Sequence, residues 1–357
     1  MNIYICSTVR NLLFATMKSI SEPDVFSNIL MIVDQQNVDK KDFDLSALPC
    51  NIQIDFIARK HIRRKLDSRF VGVLLRLLAA LNVKTPARSR SWIRCWLFDF
   101  LFKTLQLDLD ESDRLILFND RNRVARLFRL GFSNYAVIED GLSNYSGKSL
   151  KFFEKLWRFL SGNRIGKRYL GDDSRCHTIY LLNPDKAPNA IRKKVKPIDF
   201  ISRKNILGVC SPFFRYGADQ GKVSTYSCVF ATQPIAVGKF TCSGYDLDVY
   251  SKILSYLSDT GQKPVIKVHP REDVEKYRKA FPSYEVVGGK VPLELMVFGS
   301  EQKCKIYSIY STAGMGFEQY SQRITLVKDE EAESMAALFE SWRREPTLLD
   351  NRIKDLL

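Results

Sequence analysis

Apolar and polar positions alternate along this chain in a pattern that predicts strands and helices in regular succession. Short apolar runs in the first half predict buried strands, and longer segments with helical spacing separate most of them. The strands are predicted over residues 2–6, 27–33, 51–57, 114–119 and 135–138, with a helix over 9–20. This alternation favours an α/β fold built on a parallel sheet.

The same pattern restarts in the second half. Strands are predicted over 205–209, 227–231, 264–268, 284–287 and 305–309, with helices over 246–258, 271–280 and 292–298. Between the halves, Pro184, Pro188 and the basic run 192–197 predict an interdomain linker near 188–204. We therefore expect two domains, 1–190 and 205–357, which bind ligands at the carboxyl ends of their strands.

Length and composition fit two folded domains. The chain has 357 residues and is 45% apolar, which exceeds what one core usually holds. Its eight cysteines include no C-x-x-C pair, a usage typical of reduced thiols in the cytoplasm. Its three histidines (His61, His177 and His269) do not form a local metal-binding pair, so we expect no metal site.

The net charge of +15 predicts an anionic partner. One basic and apolar stretch holds many of these cations, and between Arg59 and Arg94 its only acid is Asp67. Its cations are Arg59, Lys60, Arg63, Arg64, Lys65, Arg69, Arg76, Lys84, Arg88, Arg90 and Arg94. Three interpretations stay open: a solvated helix face, an amphipathic surface on anionic lipid, and nucleic-acid binding without a recognisable motif.

The N-terminal residues predict a strand, a turn and a helix rather than a secretory signal. The most apolar stretch, 70–83, is interrupted by Arg76 and is shorter than the roughly 20 residues of a membrane-spanning helix. We expect no transmembrane segment.

Three motifs that directly follow predicted strands carry candidate chemistry. The first is Glu139-Asp140-Gly141, after the strand at 135–138. A carboxylate there can accept the proton of an attacking hydroxyl, and Gly141 allows the sharp turn that presents it. The same triplet is also typical of an ordinary turn.

The second motif is His269-Pro270, which ends the strand at 264–268 between Lys267 and Arg271. Proline suits the first turn of a helix, so the pattern predicts that a helix follows at once. An imidazole beside a helix N-terminus and two cations can neutralise a departing phosphate. A purely structural histidine is the alternative.

The third motif is Ser311-Thr312, which follows the strand at 305–309 and precedes Gly314 and Gly316. Adjacent hydroxyls and free backbone amides can cradle an anion. Capping of a following helix is the alternative.

In this order the three motifs resemble those of the bacterial sialyltransferases, which share acidic-acidic-Gly, His-Pro and Ser-Ser/Thr motifs. The chain resembles in particular the lipooligosaccharide sialyltransferases of glycosyltransferase family 52, and the capsule polysialyltransferases are also similar. The resemblance implies a GT-B fold, in which two Rossmann-like domains face each other across a cleft. Residues 1–190, with a basic amphipathic helical insertion, would bind the acceptor, and 205–357 would bind a CMP-sugar donor.

The resemblance also implies roles for individual residues. Asp140 would be the general base toward the acceptor hydroxyl, and His269 would protonate or stabilise the CMP phosphate, with inversion at the anomeric carbon. Ser311 and Thr312 would hold the donor phosphate or carboxylate, and Glu294 the ribose hydroxyls, although it also fits a helix N-terminal acid. Lys267, Pro270 and Arg271 would lie on the donor side, and Glu139 and Gly141 on the acceptor side.

The base has a second candidate position, because Asp246 and Asp248 precede the His-Pro motif. These two residues are predicted to open a helix, which argues against a metal-binding D-x-D site. A CMP leaving group carries one phosphate, which protein cations can balance, so we expect neither a metal nor another cofactor.

Several functions remain open at this level. The expected reaction is transfer of sialic acid from CMP-sialic acid to a galactose-containing or lipid-linked glycan, as in lipooligosaccharide or capsule synthesis. Alternatives are transfer of legionaminic, pseudaminic, Kdo or neutral sugars, a nucleotide-sugar epimerase, and a non-catalytic nucleic-acid-binding or membrane-scaffolding protein. We expect a cytoplasmic enzyme, peripheral at the inner membrane, without a nucleic-acid partner, and the resemblance allows a homodimer.

Overall fold

The chain folds into two compact units, Met1–Asn205 and Ile206–Leu357. The computed structural model describes residues 1–101, 113–160, 165–217, 226–235, 241, 244–300, 302–311, 313–328, 331 and 334–356. Each unit is built on a parallel sheet, as the alternating pattern predicts.

The first unit contains a seven-stranded sheet in the order β3-β2-β1-β4-β5-β6-β7. Its strands are β1 (Asn2–Cys6), β2 (Ser27–Ile32), β3 (Ile52–Ile57), β4 (Arg114–Leu117), β5 (Tyr135–Ile138), β6 (Cys176–Leu181) and β7 (Val195–Pro197). The order reverses direction between β1 and β4, which is the position where open α/β sheets bind ligands.

The first unit also contains helices, several of which pack against this sheet. They are α1 (Val9–Ile20), α2 (Arg59–Asp67), α3 (Phe70–Ala80), α4 (Ala87–Leu101), α5 (Arg123–Arg129), α6 (Phe152–Leu160) and α7 (Arg203–Asn205). Ile62, Leu75 and Phe128 from α2, α3 and α5 share one apolar cluster with Ile3 and Leu115 of the sheet. None of the helices that the structure describes is long and apolar enough to cross a membrane.

The second unit contains a five-stranded sheet in the order β10-β9-β8-β11-β12. Its strands are β8 (Cys228–Ala231), β9 (Val265–Lys267), β10 (Val286–Val287), β11 (Cys304–Ser308) and β12 (Ser321–Thr325). Its helices are α8 (Ser211–Phe213), α9 (Tyr245–Asp259), α10 (Val274–Ala280), α11 (Leu293–Phe298), α12 (Met335–Arg344) and α13 (Pro346–Leu356). The order reverses between β8 and β11, as it does between β1 and β4 in the first sheet.

Two stretches differ from their sequence-based prediction. Residues 205–209, predicted as a strand, are helical, because α7, a π-helical turn (Ile206–Cys210) and α8 run continuously. Ile206, Cys210 and Phe213 are buried at helical spacing, which a short apolar run does not distinguish from a strand. The predicted linker at 188–204 contains β7, which pairs with β6 at the sheet edge, where Pro197 is tolerated.

A buried polar cluster joins α3, α5 and the approach to β6. Asp173 accepts hydrogen bonds from Arg129 (2.5 Å), Arg175 (3.3 Å) and Asn82 (3.2 Å). The Arg129 guanidinium also lies over the Tyr135 ring, 4.6 Å from its centroid. Burial alone would raise the pKa of Asp173, but the charges of Arg129 and Arg175 hold it below its usual range. The carboxylate is therefore ionised and fully engaged inside the unit.

We expect Asp173→Asn to lower the free energy of unfolding by about 3–5 kcal/mol, because it leaves the Arg129 charge buried without its counter-ion. The difference should shrink as the pH falls below about 4, where the unfolded-state carboxyl also protonates. Urea denaturation at neutral and acidic pH measures both effects. Asp350→Asn, which removes the half-exposed partner of Lys252, is the control and should cost about 0–1 kcal/mol.

Candidate functional site

In the first unit, the ends of three neighbouring strands converge on Asp140. This residue follows β5, and its carboxylate accepts hydrogen bonds from the side-chain amides of Asn11 (2.9 Å) and Asn119 (3.5 Å). Asn119 follows β4, and Asn11 lies in the first turn of α1, just after β1. The backbone N–H of Asp140 donates to Asn144 Oδ1 at 2.9 Å. The carboxylate is thus held at the position where the strand order reverses.

The orientation of Asn11 is itself fixed. Its side chain is fully buried, and its Oδ1 accepts the backbone N–H of Ser7 at 3.2 Å. Its own N–H donates to the hydroxyl of Thr8, the N-cap of α1, at 3.1 Å. Because Oδ1 is engaged, the amide nitrogen must point toward Asp140. Asn11 therefore sets the direction of the Asp140 carboxylate.

Glu139 has a different environment from Asp140. Its carboxylate is fully buried and accepts hydrogen bonds from Arg10 (3.1 Å), the Tyr145 hydroxyl and the backbone N–H of Leu182 (2.9 Å). Burial, and then the Glu139 charge, raise the pKa of Tyr145, which keeps its proton. Glu139, which the resemblance places on the acceptor side, is buried and anchors the loop from inside the unit.

Gly141 adopts the left-handed region, with φ of +76°. A Cβ atom there would also lie 3.1 Å from Arg10 Nη1. The sharp turn that the sequence predicts after Asp140 is present, and a glycine is the residue that makes it without strain.

In the second unit, His269 follows β9, and its ring has a defined tautomer. The backbone N–H of Arg271 donates to His269 Nδ1 at 3.1 Å, so a neutral ring carries its proton on Nε2. Burial, followed by the charges of Arg271 and Lys267, lowers the pKa of His269 to about 4. At neutral pH the ring is therefore uncharged and presents an N–H donor.

The two cations beside His269 differ in their accessibility. Arg271 is exposed, whereas Lys267 is buried and donates to the carbonyls of Val268 (2.8 Å) and Gly288 (3.1 Å). Burial lowers the pKa of Lys267 to about 7, against the opposing charge of Glu294. Lys267 thus ties the ends of β9 and β10 together, and Arg271 is the cation that a ligand can reach.

A polar network inside the second unit supports the His-Pro turn. The backbone N–H of His269 donates to the Thr232 hydroxyl at 2.9 Å, which donates to Glu272 at 2.7 Å. The hydroxyl of Tyr277 donates to the other Glu272 oxygen at 2.7 Å. Thr232 directly follows β8, so the central strand of this sheet fixes the backbone that carries the imidazole.

The structure after His269-Pro270 differs from the prediction. No helix starts at Pro270, because α10 begins four residues later, with Asp273 as its N-cap. The turn instead packs against Gly289, where a Cβ atom would lie 2.6 Å from the Cα of Pro270. His269 therefore depends on a glycine contact and on Thr232 rather than on a helix N-terminus.

The third motif lies at the end of β11. Ser311 Oγ accepts the N–H of Ala313 at 3.0 Å, which leaves the hydroxyl proton as a donor. The backbone N–H of Tyr310 donates to the Gln233 side chain at 2.6 Å. Residues 313–316 form turns rather than a helix, so the structure shows no helix there for Ser311 to cap. Thr312 lies outside the described residues.

Three further candidates, Glu294, Asp246 and Asp248, lie on helices of the second unit. Glu294 is buried in the first turn of α11, and its charge acts on Lys267. Asp246 is fully buried and pairs with Lys276 at 2.5 Å, whereas Asp248 is exposed on α9. Within the described residues, no group of three or more His, Cys, Asp or Glu could hold a metal ion.

Four polar residues that support these motifs were not identified from the sequence: Asn11, Asn119, Thr232 and Gln233. Each lies at or shortly after the end of a strand, and that position was their only signal. Their hydrogen-bond partners lie between 21 and 129 residues away along the chain, so no local spacing reveals them.

The chain is similar to solved structures of bacterial sialyltransferases. With the α/β-galactoside α-2,3-sialyltransferase of Photobacterium phosphoreum it shares 12% identity over 95% of this chain and 94% of that chain, with a TM-score of 0.51. With a Photobacterium damselae sialyltransferase it shares 11% identity over 87% of each chain, with a TM-score of 0.45. At 12% identity the first of these likenesses shows the fold alone, and the expected GT-B fold class, with two units built on parallel sheets, is confirmed.

A UDP-GlcNAc 2-epimerase of Neisseria meningitidis is similar at 12% identity over 99% of this chain and 94% of that chain, with a TM-score of 0.45. No curated protein sequence matches the chain. The sequence profile of glycosyltransferase family 52 matches residues 87–330, more than half of the chain and all three motifs. The resemblance inferred from the motifs is confirmed: the chain is a glycosyltransferase that belongs to glycosyltransferase family 52.

Proposed function

We propose that this glycosyltransferase moves sialic acid from CMP-sialic acid to a hydroxyl of a galactose-containing glycan, with inversion at the anomeric carbon. The observation that carries the proposal is the neutral imidazole of His269, with its Nε2 proton and the exposed Arg271 at the end of β9. A group of this kind suits a leaving phosphate better than a metal-bound diphosphate.

On the acceptor side, Asp140 takes the proton from the attacking hydroxyl as the new glycosidic bond forms. Among the described contacts, its two carboxylate oxygens accept side-chain hydrogen bonds from neutral amides, those of Asn11 and Asn119. A carboxylate oriented in this way can act as a general base. Asp246 is less suited, because it is fully buried against Lys276.

On the donor side, the bond between the anomeric carbon and the phosphate oxygen breaks, and CMP leaves. His269 Nε2–H donates to that oxygen, and Arg271 balances its growing negative charge. Ser311 and, as the family motif implies, Thr312 hold the phosphate or the sugar carboxylate. Glu294 is assigned to the ribose hydroxyls on the same basis. No metal enters these steps, because CMP carries a single phosphate.

The acceptor and the setting are part of the same proposal. A lipid-linked or lipooligosaccharide acceptor at the inner membrane agrees with the basic stretch between Arg59 and Arg94. Capsule glycans are the related alternative. The proposed reaction is compatible with a homodimer and does not require one.

We expect Asp140→Asn to lower the rate of sialyl transfer to lactose by about 10²–10⁴-fold while CMP binding is retained, because only the proton acceptor is lost. Transfer is measured by chromatography, and CMP binding by calorimetry. Asp248→Asn is the matched control and should keep the parent rate. The reverse result, with Asp248→Asn inactive and Asp140→Asn active, would move the base to the second unit.

We expect the pKa of His269 to lie near 4 in the free protein and to rise by at least about one unit when CMP binds, because a nearby phosphate favours the charged ring. By linkage, the contribution of His269 to CMP binding grows as the pH falls through the raised pKa toward 4. Lys267 also titrates near pH 7, so the His269 resonance itself must be followed by NMR. The signal of His177, on β6 of the other unit, is the internal control.

Two further outcomes separate the alternatives. CMP binding without sialyl transfer would redirect the donor to legionaminic, pseudaminic or Kdo sugars. Loss of binding to CMP, with strong and salt-sensitive binding to nucleic acid, would refute the enzyme proposal.

A further inference from the structure

The outer face of α3 is apolar and exposed. Phe70, Val73, Leu74, Leu77 and Leu81 follow one another at the i, i+3, i+4, i+7 and i+11 positions, and their exposed fractions run from 39% to 83%. This spacing places all five on one stripe of the helix and its C-cap. The protein thus leaves a continuous apolar stripe in contact with water, which is unusual for a soluble surface.

The opposite face of α3 already holds the helix in place. Gly72, Leu75 and Ala79 are buried, and a Cβ atom on Gly72 would lie 2.2 Å from the carbonyl oxygen of Leu66 on α2. Helix α3 therefore has two apolar faces. One face packs into the first unit, and the other is the exposed stripe.

A second helix of the same unit repeats this arrangement. On α6, Phe152, Leu156 and Phe159 are between 50% and 75% exposed at i, i+4 and i+7. On its inner side, Arg158 is buried and pairs with Asp172 at 2.9 Å. These three apolar side chains of α6 are therefore exposed, whereas Arg158 is held inside the unit by its ion pair.

Arg126 of α5 links the two helices in space. Its guanidinium donates to the carbonyl oxygen of Ala80, at the end of α3, at 3.4 Å, and it also interacts electrostatically with Glu154 of α6. Arg126 therefore lies near the end of α3 and within electrostatic reach of α6.

Cations surround both stripes. Asp67 is the only acid between Arg59 and Arg94, and Glu154 is the only acid between Lys148 and Arg168. Asp67, the last residue of α2, pairs with Arg63 of the same helix and with Arg76 of α3. An apolar stripe bordered by an excess of Lys and Arg matches a surface that is apolar inside and anionic outside.

We propose that α3 and α6 insert their apolar stripes into the interface of an anionic phospholipid bilayer. Leu77 and Phe159 enter the boundary between headgroups and acyl chains, and the surrounding cations contact the lipid phosphates. This extends the proposed function by adding insertion to electrostatic attraction, and it rests on the first unit alone. The partner is the bilayer itself, independent of which sugar is transferred.

The test is flotation of the full chain with vesicles of equimolar phosphatidylglycerol and phosphatidylcholine, compared with vesicles of phosphatidylcholine alone. The parent should prefer the anionic vesicles and retain part of its binding at about 0.5 M salt, where charge attraction is screened. Leu77→Glu and Phe159→Glu should each weaken binding by about tenfold or more, because a carboxylate opposes insertion.

Leu348→Glu is the matched control, since Leu348 is 40% exposed on α13 of the second unit. It should bind vesicles like the parent. Thermal unfolding of all variants checks that they fold. We expect all of them to fold, because the replaced side chains are exposed and do not form part of a core.

Three results would overturn the inference. The first is equal binding of parent and Leu77→Glu to anionic vesicles. The second is a parent oligomer in sedimentation velocity that Leu77→Glu dissociates without affecting vesicle binding, which would make the stripe a contact between copies. The third is indifference to vesicles combined with salt-sensitive binding to duplex DNA. CMP binding and transfer to soluble lactose report on the proposed function separately, so either proposal can fail alone.

Discussion

A parallel sheet brings the carboxyl ends of all its strands to one edge, and the chemistry of this chain depends on that constraint. In each unit, polar residues that follow a strand at the reversal of the strand order organise the edge. After β1, Asn11 reaches across to Asp140 beyond β5. After β8, Thr232 holds His269 on one side and Gln233 holds Tyr310 on the other. The two candidate catalytic residues are therefore oriented by neutral hydrogen bonds from residues on other strands.

The first two motifs and their flanking residues each combine an interior charged residue with a more accessible one. Glu139 is buried and anchors the loop, whereas its neighbour Asp140 is only partly buried and held by amides. Lys267 is buried and ties β9 to β10, whereas Arg271 is exposed. Burial of a charged group is costly unless hydrogen bonds satisfy it, and both interior residues have these bonds. Charged residues that lie close together in the sequence therefore have separate roles, one in the fold and one nearer the surface.

The electrostatics of His269 follow from the same arrangement. Burial and two nearby cations keep the ring neutral, and the Arg271 backbone N–H fixes the proton on Nε2. An incoming phosphate reverses this balance, because it adds negative charge where the protein has placed positive charge. The ring thus responds to the ligand that the second unit is proposed to hold.

The sequence by itself determined the α/β class, most strands and the three motifs, because strands of parallel sheets are short apolar runs and motif residues follow them directly. It also identified the glycosyltransferase family. It did not determine the helix at 203–213, since a short apolar run has no distinguishing period, or the edge strand at 195–197 in a basic, proline-containing segment. Only the tertiary structure decided that Glu139 is interior and that α3 keeps an apolar stripe exposed. Burial and long-range hydrogen bonds depend on strand order, and strand order joins residues that local sequence keeps far apart.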